Sequence, residues 1–218
     1  MRFVRDNGLT IALMLLFGAS LVGQLLAGWH VAIGDAARHH QPGMSLIGYA
    51  SSAAFVGAVF ENWESEFLQM SAYVMLTAVL IQRGSAESKD PDEGPRDHDL
   101  EAKAQATDAP KILRQGLFWR ALYSRSLGLA LASLFVISFV LHWIASARAA
   151  SGEALEHGEP PVNVFAYLFD AQLWFESFQN WQSEFLSTAV LVVLSIFLRQ
   201  RESPESKPVA APHSQTGA

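Results

Sequence analysis

Asn62, Ser65 and Glu66 stand at the head of one apolar run, and Asn180, Ser183 and Glu184 stand at the head of another. Residues four apart on a helix share a face, so Asn62 pairs with Glu66 and Asn180 with Glu184. The amide can donate to the carboxylate and hold its rotamer. Ser65 and Ser183 lie one position back, on the neighbouring face. Such a group can bind a proton, a cation or a cationic group, and intramembrane ionisable residues are often functional. A mechanical reading competes, because Asn, Ser and Glu also fasten membrane helices together. A catalytic carboxylate pair is the third reading. No hydrolase, kinase or nucleotide-binding signature supports it, so no residue is assigned a catalytic role and the chain is not expected to be an enzyme.

The two groups belong to a longer repeat. Asn62-Trp63-Glu64-Ser65-Glu66-Phe67-Leu68 returns as Asn180-Trp181-Gln182-Ser183-Glu184-Phe185-Leu186, at an offset of 118 (62 to 180). The offset holds without a gap from Gly34 to Lys89, where 22 of 56 positions match their partners. Gln82-Arg83, Ser85 and Glu87-Ser88-Lys89 match Gln200-Arg201, Ser203 and Glu205-Ser206-Lys207. The chain therefore reads as a tandem duplication. The copies differ around the motif: Glu61, Glu64, Gln69 and Tyr73 face Gln179, Gln182, Ser187 and Leu191.

The elements that must position these groups are long and apolar. Half of the 218 residues are hydrophobic and only 17% are charged. Leu9–Trp29 and Leu127–Ala147 are each free of Asp, Glu, Lys and Arg over 21 residues. That length crosses about 30 Å of hydrocarbon. A basic start makes the first run similar to a signal peptide, but its mid-chain duplicate cannot be one. Phe67–Gln82 and Phe185–Leu198 are shorter and reach spanning length only if their helices begin upstream, within the motif. Glu66 lies fifteen residues above Ile81, or about 22 Å along a helix. That depth is just inside the outer edge of the hydrocarbon, and Glu184 comes out level with it. An ionised carboxylate facing lipid there costs on the order of 1–3 kcal/mol, so both are expected to face the bundle interior or a wet cavity.

Charge sets the expected orientation. If the amino terminus, residues 83–125 and the carboxyl terminus share one side, that side holds 13 of the 15 lysines and arginines. Only Arg38 and Arg148 fall opposite. The basic side should be cytoplasmic, with both termini inside and the two copies related by a parallel repeat. Residues 30–61 and 148–179 are then the outer loops. Ser45 and Asn163 suit N-caps of short interfacial helices over Leu46–Ala50 and Val164–Phe169. Ser52 and Asp170 suit N-caps of second helices running to Arg83 and Arg201. Trp29, Trp63, Trp143, Trp174 and Trp181 fall near the outer boundary, as an aromatic belt would.

Residues 84–112 hold only two large aliphatic side chains, Leu100 and Ile112, too few to bury a core. The expected division is 1–83 as the first two-span repeat, 84–115 as disordered cytoplasmic linker, 116–201 as the second repeat and 202–218 as disordered tail. There is no cysteine, hence no thiolate chemistry. The repeat makes His39 and His157 equivalent, but no His-x-x-x-His or Glu-x-x-His pair appears within a helix, so neither metal nor other cofactor is expected.

Glu61-Asn62-Trp63-Glu64-Ser65-Glu66-Phe67-Leu68-Gln69-Met70, followed by Gln82-Arg83-Gly84-Ser85-Ala86-Glu87-Ser88-Lys89-Asp90-Pro91, resembles an uncharacterised family of small bacterial membrane proteins, a domain family of unknown function. The likeness covers most of the chain, including Asp6-Asn7-Gly8-Leu9. It implies a bacterial inner-membrane protein with several spans and transfers no site residues. The expected fold is all-α: an integral membrane protein with four transmembrane helices from two duplicated hairpins, plus short interfacial helices outside. The expected function is binding or transport of an ion, proton or small solute at Asn62, Ser65, Glu66, Asn180, Ser183 and Glu184. The alternative is a non-catalytic membrane scaffold, serving envelope stress, in which those residues only join helices. The lipid bilayer is the expected partner. A homo-oligomer would thicken a thin bundle, and no nucleic acid is expected.

Overall fold

The computed structural model describes residues 2–217 apart from 95, 96 and 98. Arg96, one of the basic residues used for orientation, lies outside the described residues. Among those described, all regular structure is helical. The elements are α1 Arg2–Asp6, α2 Gly8–Arg38, α3 Leu46–Ala50, α4 Ala53–Val79, α5 Leu100–Lys103, α6 Leu117–Tyr123, α7 Ser126–Glu156, α8 Val164–Tyr167 and α9 Ala171–Phe197. A 3-10 turn covers Lys111–Arg114.

α2 and α7 are each 31 residues long, with apolar windows of mean hydropathy 2.1 and 2.2, long and apolar enough to cross a membrane. No residue of the α2 window is buried within the protein. Leu9, Leu13, Leu15 and Leu16 all point outward. An apolar surface on that scale needs lipid or another protein against it.

Helix bounds recur with the sequence offset. α2 and α7 begin and end 118 positions apart (8 to 126, 38 to 156), and so do α4 and α9 (53 to 171, 79 to 197). The helix-starting residues are those the sequence marks. Ser45 Oγ accepts from Gly48 N, and Asn163 Oδ1 accepts from Phe165 N and Ala166 N. Ser52 Oγ accepts from Phe55 N at 3.2 Å, opening α4.

Several helix ends differ from expectation, α8 among them, which stops at Tyr167 and not Phe169. α2 runs nine residues past Trp29, and α7 likewise passes Ala147 by nine. Nothing breaks the backbone until His40 and Gly158, which are equivalent and both left-handed, at φ 56° and 76°. A left-handed residue just after the helix is the usual C-terminal stop. At the other end α4 stops at Val79, short of Arg83, and α9 at Phe197, short of Arg201. Gln82 N, which would bond Ala78 O to extend the ladder, donates instead to Ser88 Oγ at 3.0 Å. Ala78 O accepts from Lys89 Nζ at 2.6 Å. Ser88 and Lys89 thus occupy both partners of the Gln82-to-Ala78 bond that a longer helix would make.

The contacts divide the chain into two compact units, residues 1–60 with 141–170 and residues 61–140 with 171–218. In the first, two tryptophans tie long helices to short ones: Trp29 Nε1 donates to Met44 O at 2.9 Å and Trp143 Nε1 to Val164 O at 2.8 Å. Gly28 clears the place on α2 where the Tyr49 ring lies. A Cβ on Gly57 would meet Ala145 Cβ at 3.5 Å. Ala145 and Ala147 are buried, the small-residue contact by which helices approach closely.

In the second unit, Phe135, Phe139, Trp174, Phe178 and Trp181 form a chain of ring contacts with centroids 5.3–6.3 Å apart. Within the segments expected as disordered linker and tail, residues 84–89 and 203–217 make specific hydrogen bonds. Their hydrogen bonds are polar, so composition alone hides them. Lys207 is 1% exposed and Ser85 fully buried. Lys207 Nζ donates to the carbonyls of Gly84, His213 and Gln215 at 2.5, 3.0 and 2.9 Å.

Candidate functional site

α4 and α9 carry the acidic motif within the second unit. The Glu66 and Glu184 carboxyls come within hydrogen-bonding reach of each other. The repeat therefore brings its two equivalent acids together. Their settings are unequal, since Glu184 and Asn180 are half-buried while Glu66 and Asn62 are exposed. The carboxylate sealed from solvent is Glu64, fully buried, where Glu66 was expected to be the inward-facing acid.

The expected pairing of Asn180 with Glu184 is not the one made. Asn180 Nδ2 donates to Glu61 Oε1 at 2.5 Å and to Glu176 O at 3.2 Å. Trp181 Nε1 donates to Glu64 Oε1 at 2.9 Å. Glu61 and Glu64 are the acids that the second copy replaces with glutamine. The asymmetry between copies thus has a use: first-copy acids accept from second-copy donors. Gln69 Nε2 donates to Thr188 Oγ1, another bond between α4 and α9.

Ser65 and Ser183 do not reach across. Ser65 Oγ donates to Asn62 O and Ser183 Oγ to Asn180 O, both at 2.8 Å. Each hydroxyl folds back onto its own helix, as serine often does in apolar surroundings.

The family model described as "Domain of unknown function (DUF6766)" matches residues 1–218. The chain belongs to this family. The match agrees with the expectation of an uncharacterised family and brings no site residues with it. No curated protein and no solved structure matches the chain.

One repeated motif was visible in the sequence without a role, Gln-Arg-x-Ser-x-Glu-Ser-Lys after each second helix. In the first copy Ser88 Oγ takes Gln82 N, and in the second Ser206 Oγ takes Gln200 N at 2.9 Å. Ser85 Oγ accepts from Glu87 N at 3.1 Å, and Ser203 Oγ from Glu205 N at 3.3 Å. Gly84 and Glu202, equivalent again, are both left-handed, at φ 84° and 65°. The motif is a helix terminator built twice. The signal was the spacing: serines three and six residues after the glutamine, each able to replace a lost backbone acceptor.

Proposed function

We propose that the protein spans the bacterial inner membrane four times as two duplicated hairpins in parallel repeat, with both termini cytoplasmic. In this reading the Glu66–Glu184 pair binds a proton or small cation at the outer part of α4 and α9, and so serves ion or small-solute binding or transport. One observation carries it: two repeat-equivalent carboxyls lie close enough to hydrogen bond. Two bare carboxylates at that distance repel, and a proton or cation between them removes the repulsion. The topology draws support from the apolar 31-residue helices, the matching helix bounds and the lysine and arginine asymmetry. α4 and α9, at 27 residues each, extend about 40 Å, enough to span.

A second reading has its own support. Asn180 to Glu61 and Trp181 to Glu64 are helix-to-helix fastenings, as a non-catalytic scaffold would need. Glu66→Gln with Glu184→Gln separates the two. Binding or transport is expected to lose ion- or pH-dependent flux in proteoliposomes while the melting temperature stays within about 2 °C, less than 1 kcal/mol for a chain this size. A scaffold acting through this pair predicts a lower melting temperature or failed assembly with no flux to lose. If neither quantity changes, the pair serves neither purpose.

A further inference from the structure

A second pair of repeat-equivalent acids meets after the helices end. Glu87 and Glu205 occupy the same place in the two terminator motifs, 118 positions apart (87 to 205). Tyr73 on α4 donates its hydroxyl to Glu87 Oε2 at 2.9 Å. Glu87 Oε1 is sealed from solvent with no donor in reach. What stands within hydrogen-bonding reach of Glu87 is the Glu205 carboxyl. Two carboxylates can accept but not donate, so a bond between them needs a proton on one.

The neighbouring cations are held elsewhere. Lys89 Nζ is on Ala78 O, and Lys207 Nζ is among the carbonyls of Gly84, Pro212, His213 and Gln215. The Arg199 guanidinium donates to Ser195, Ile196, Leu198 and Ala211 carbonyls. None of these three donates to the acid pair, so among the described residues the pair is left to a proton.

The pair sits where the carboxyl-terminal tail docks on the loop after α4. Ser85 Oγ lies 2.8 Å from Ser195 Oγ of α9, which fixes the loop that the tail meets. Gly84 N donates to Thr216 Oγ1 at 2.9 Å and Gly217 N to Ser85 O at 2.9 Å. Glu87 also lines a cleft of 740 Å³ between the end of α4 and residues 86–94 with Asp97, roomy enough for water to carry protons to it.

We propose that Glu87 and Glu205 are a pH-sensitive latch: a single proton shared between them holds the tail, residues 202–217, against the loop after α4, and its loss releases the tail. The proton sits on Glu87 Oε1 and is donated to Glu205, while Oε2 keeps the Tyr73 bond. Deprotonation sends that proton to solvent and leaves two facing carboxylates, with no other covalent bond made or broken; their repulsion then parts the tail from its hydrogen bonds to Gly84 and Ser85.

Burial raises the Glu87 pKa above the ordinary carboxylate range, and the Glu205 carboxyl adds to the rise, against the Tyr73 bond, which lowers it. The sign follows. A carboxyl whose folded value is raised contributes docking strength below its unfolded value, and that contribution is lost as pH climbs through the folded value. The tail is therefore docked on the acid side and loosened on the alkaline side. Glu66 and Glu184 play no part in the latch.

The test is hydrogen exchange of residues 202–217 in the full-length protein in liposomes, at about pH 5 and about pH 8, with rates corrected for intrinsic pH dependence. Wild type is expected to exchange several-fold faster at the higher pH. Glu87→Gln supplies an amide donor that needs no proton, so its tail is expected to stay protected at both values. Glu205→Gln is expected to flatten the profile too, and it serves if Glu87→Gln fails to fold. Glu66→Gln with Glu184→Gln is expected to keep the wild-type profile, whatever it does to flux. A wild-type tail without pH dependence, or a Glu87→Gln or Glu205→Gln tail that keeps it, overturns the proposal.

Discussion

Trp181→Ala is expected to lower the stability of the protein by about 3–5 kcal/mol, the usual range for removing a packed tryptophan. For a chain of this length that is a fall of roughly 10 °C in melting temperature. Two losses combine. The indole stacks edge-on against Phe135, Trp174 and Phe178, and its removal opens the middle of the aromatic chain. It also donates to the fully buried Glu64, and a buried carboxylate that loses a donor keeps its desolvation cost. Trp181→Phe separates the terms by keeping a ring and removing the N–H, and should cost about 1.5–3 kcal/mol. Thermal melts of both variants in detergent check the pair. Equal losses would mean that the Glu64 bond accounts for the whole effect.

Lys207→Met is the second large effect. The ammonium sits 1% exposed among backbone carbonyls drawn from the loop at Gly84 and from the tail. Methionine keeps much of the volume and none of the donors. Hydrogen bonds from a charged group contribute about 1.5–3 kcal/mol, and orphaned buried acceptors add a cost of similar size. The expected total is about 2–4 kcal/mol, concentrated in the tail. Limited proteolysis and hydrogen exchange should show residues 208–217 released, with α2 and α7 unaffected. The matching change at Lys89 should be milder, because its ammonium bonds a single carbonyl at the end of its own helix. It is also more exposed. A loss at Lys89 as large as at Lys207 would contradict this reading of the carbonyl cage.

Much of the helical framework was legible because it rests on local signals. The apolar runs beginning at Leu9 and Leu127 lie inside α2 and α7. Ser45, Ser52 and Asn163 opened the helices expected of them, since an N-cap acts within three residues. The helix ends were harder. α2 continues to Arg38 because helix C-termini depend on a backbone conformation, here the left-handed His40, that histidine rarely advertises. The early stop of α4 depends on Ser88 and Lys89 folding back from nine or ten residues downstream.

Of the candidate residues, the proximity of the two acids was legible and their partners were not. The repeat singled out Glu66 and Glu184, and they do meet. Asn180 was assigned to Glu184 by helical spacing alone, yet it crosses to Glu61. Spacing finds neighbours on one helix and says nothing of a better acceptor on another. Glu64 looked incidental because its counterpart is Gln182, and it is the acid most deeply buried. The linker and tail looked featureless by composition, because ammonium-to-carbonyl and serine-to-amide bonds leave no hydrophobic pattern.

The most direct measurement is crosslinking of Glu66→Cys with Glu184→Cys in native membranes, which the absence of any natural cysteine makes clean. The structure predicts an intramolecular disulfide under mild oxidation, seen as a mobility shift at monomer mass, with both single-cysteine variants staying monomeric. If both positions can be labelled singly but the double variant forms no internal link, or links only between chains, the two acids do not face each other and the paired site does not exist.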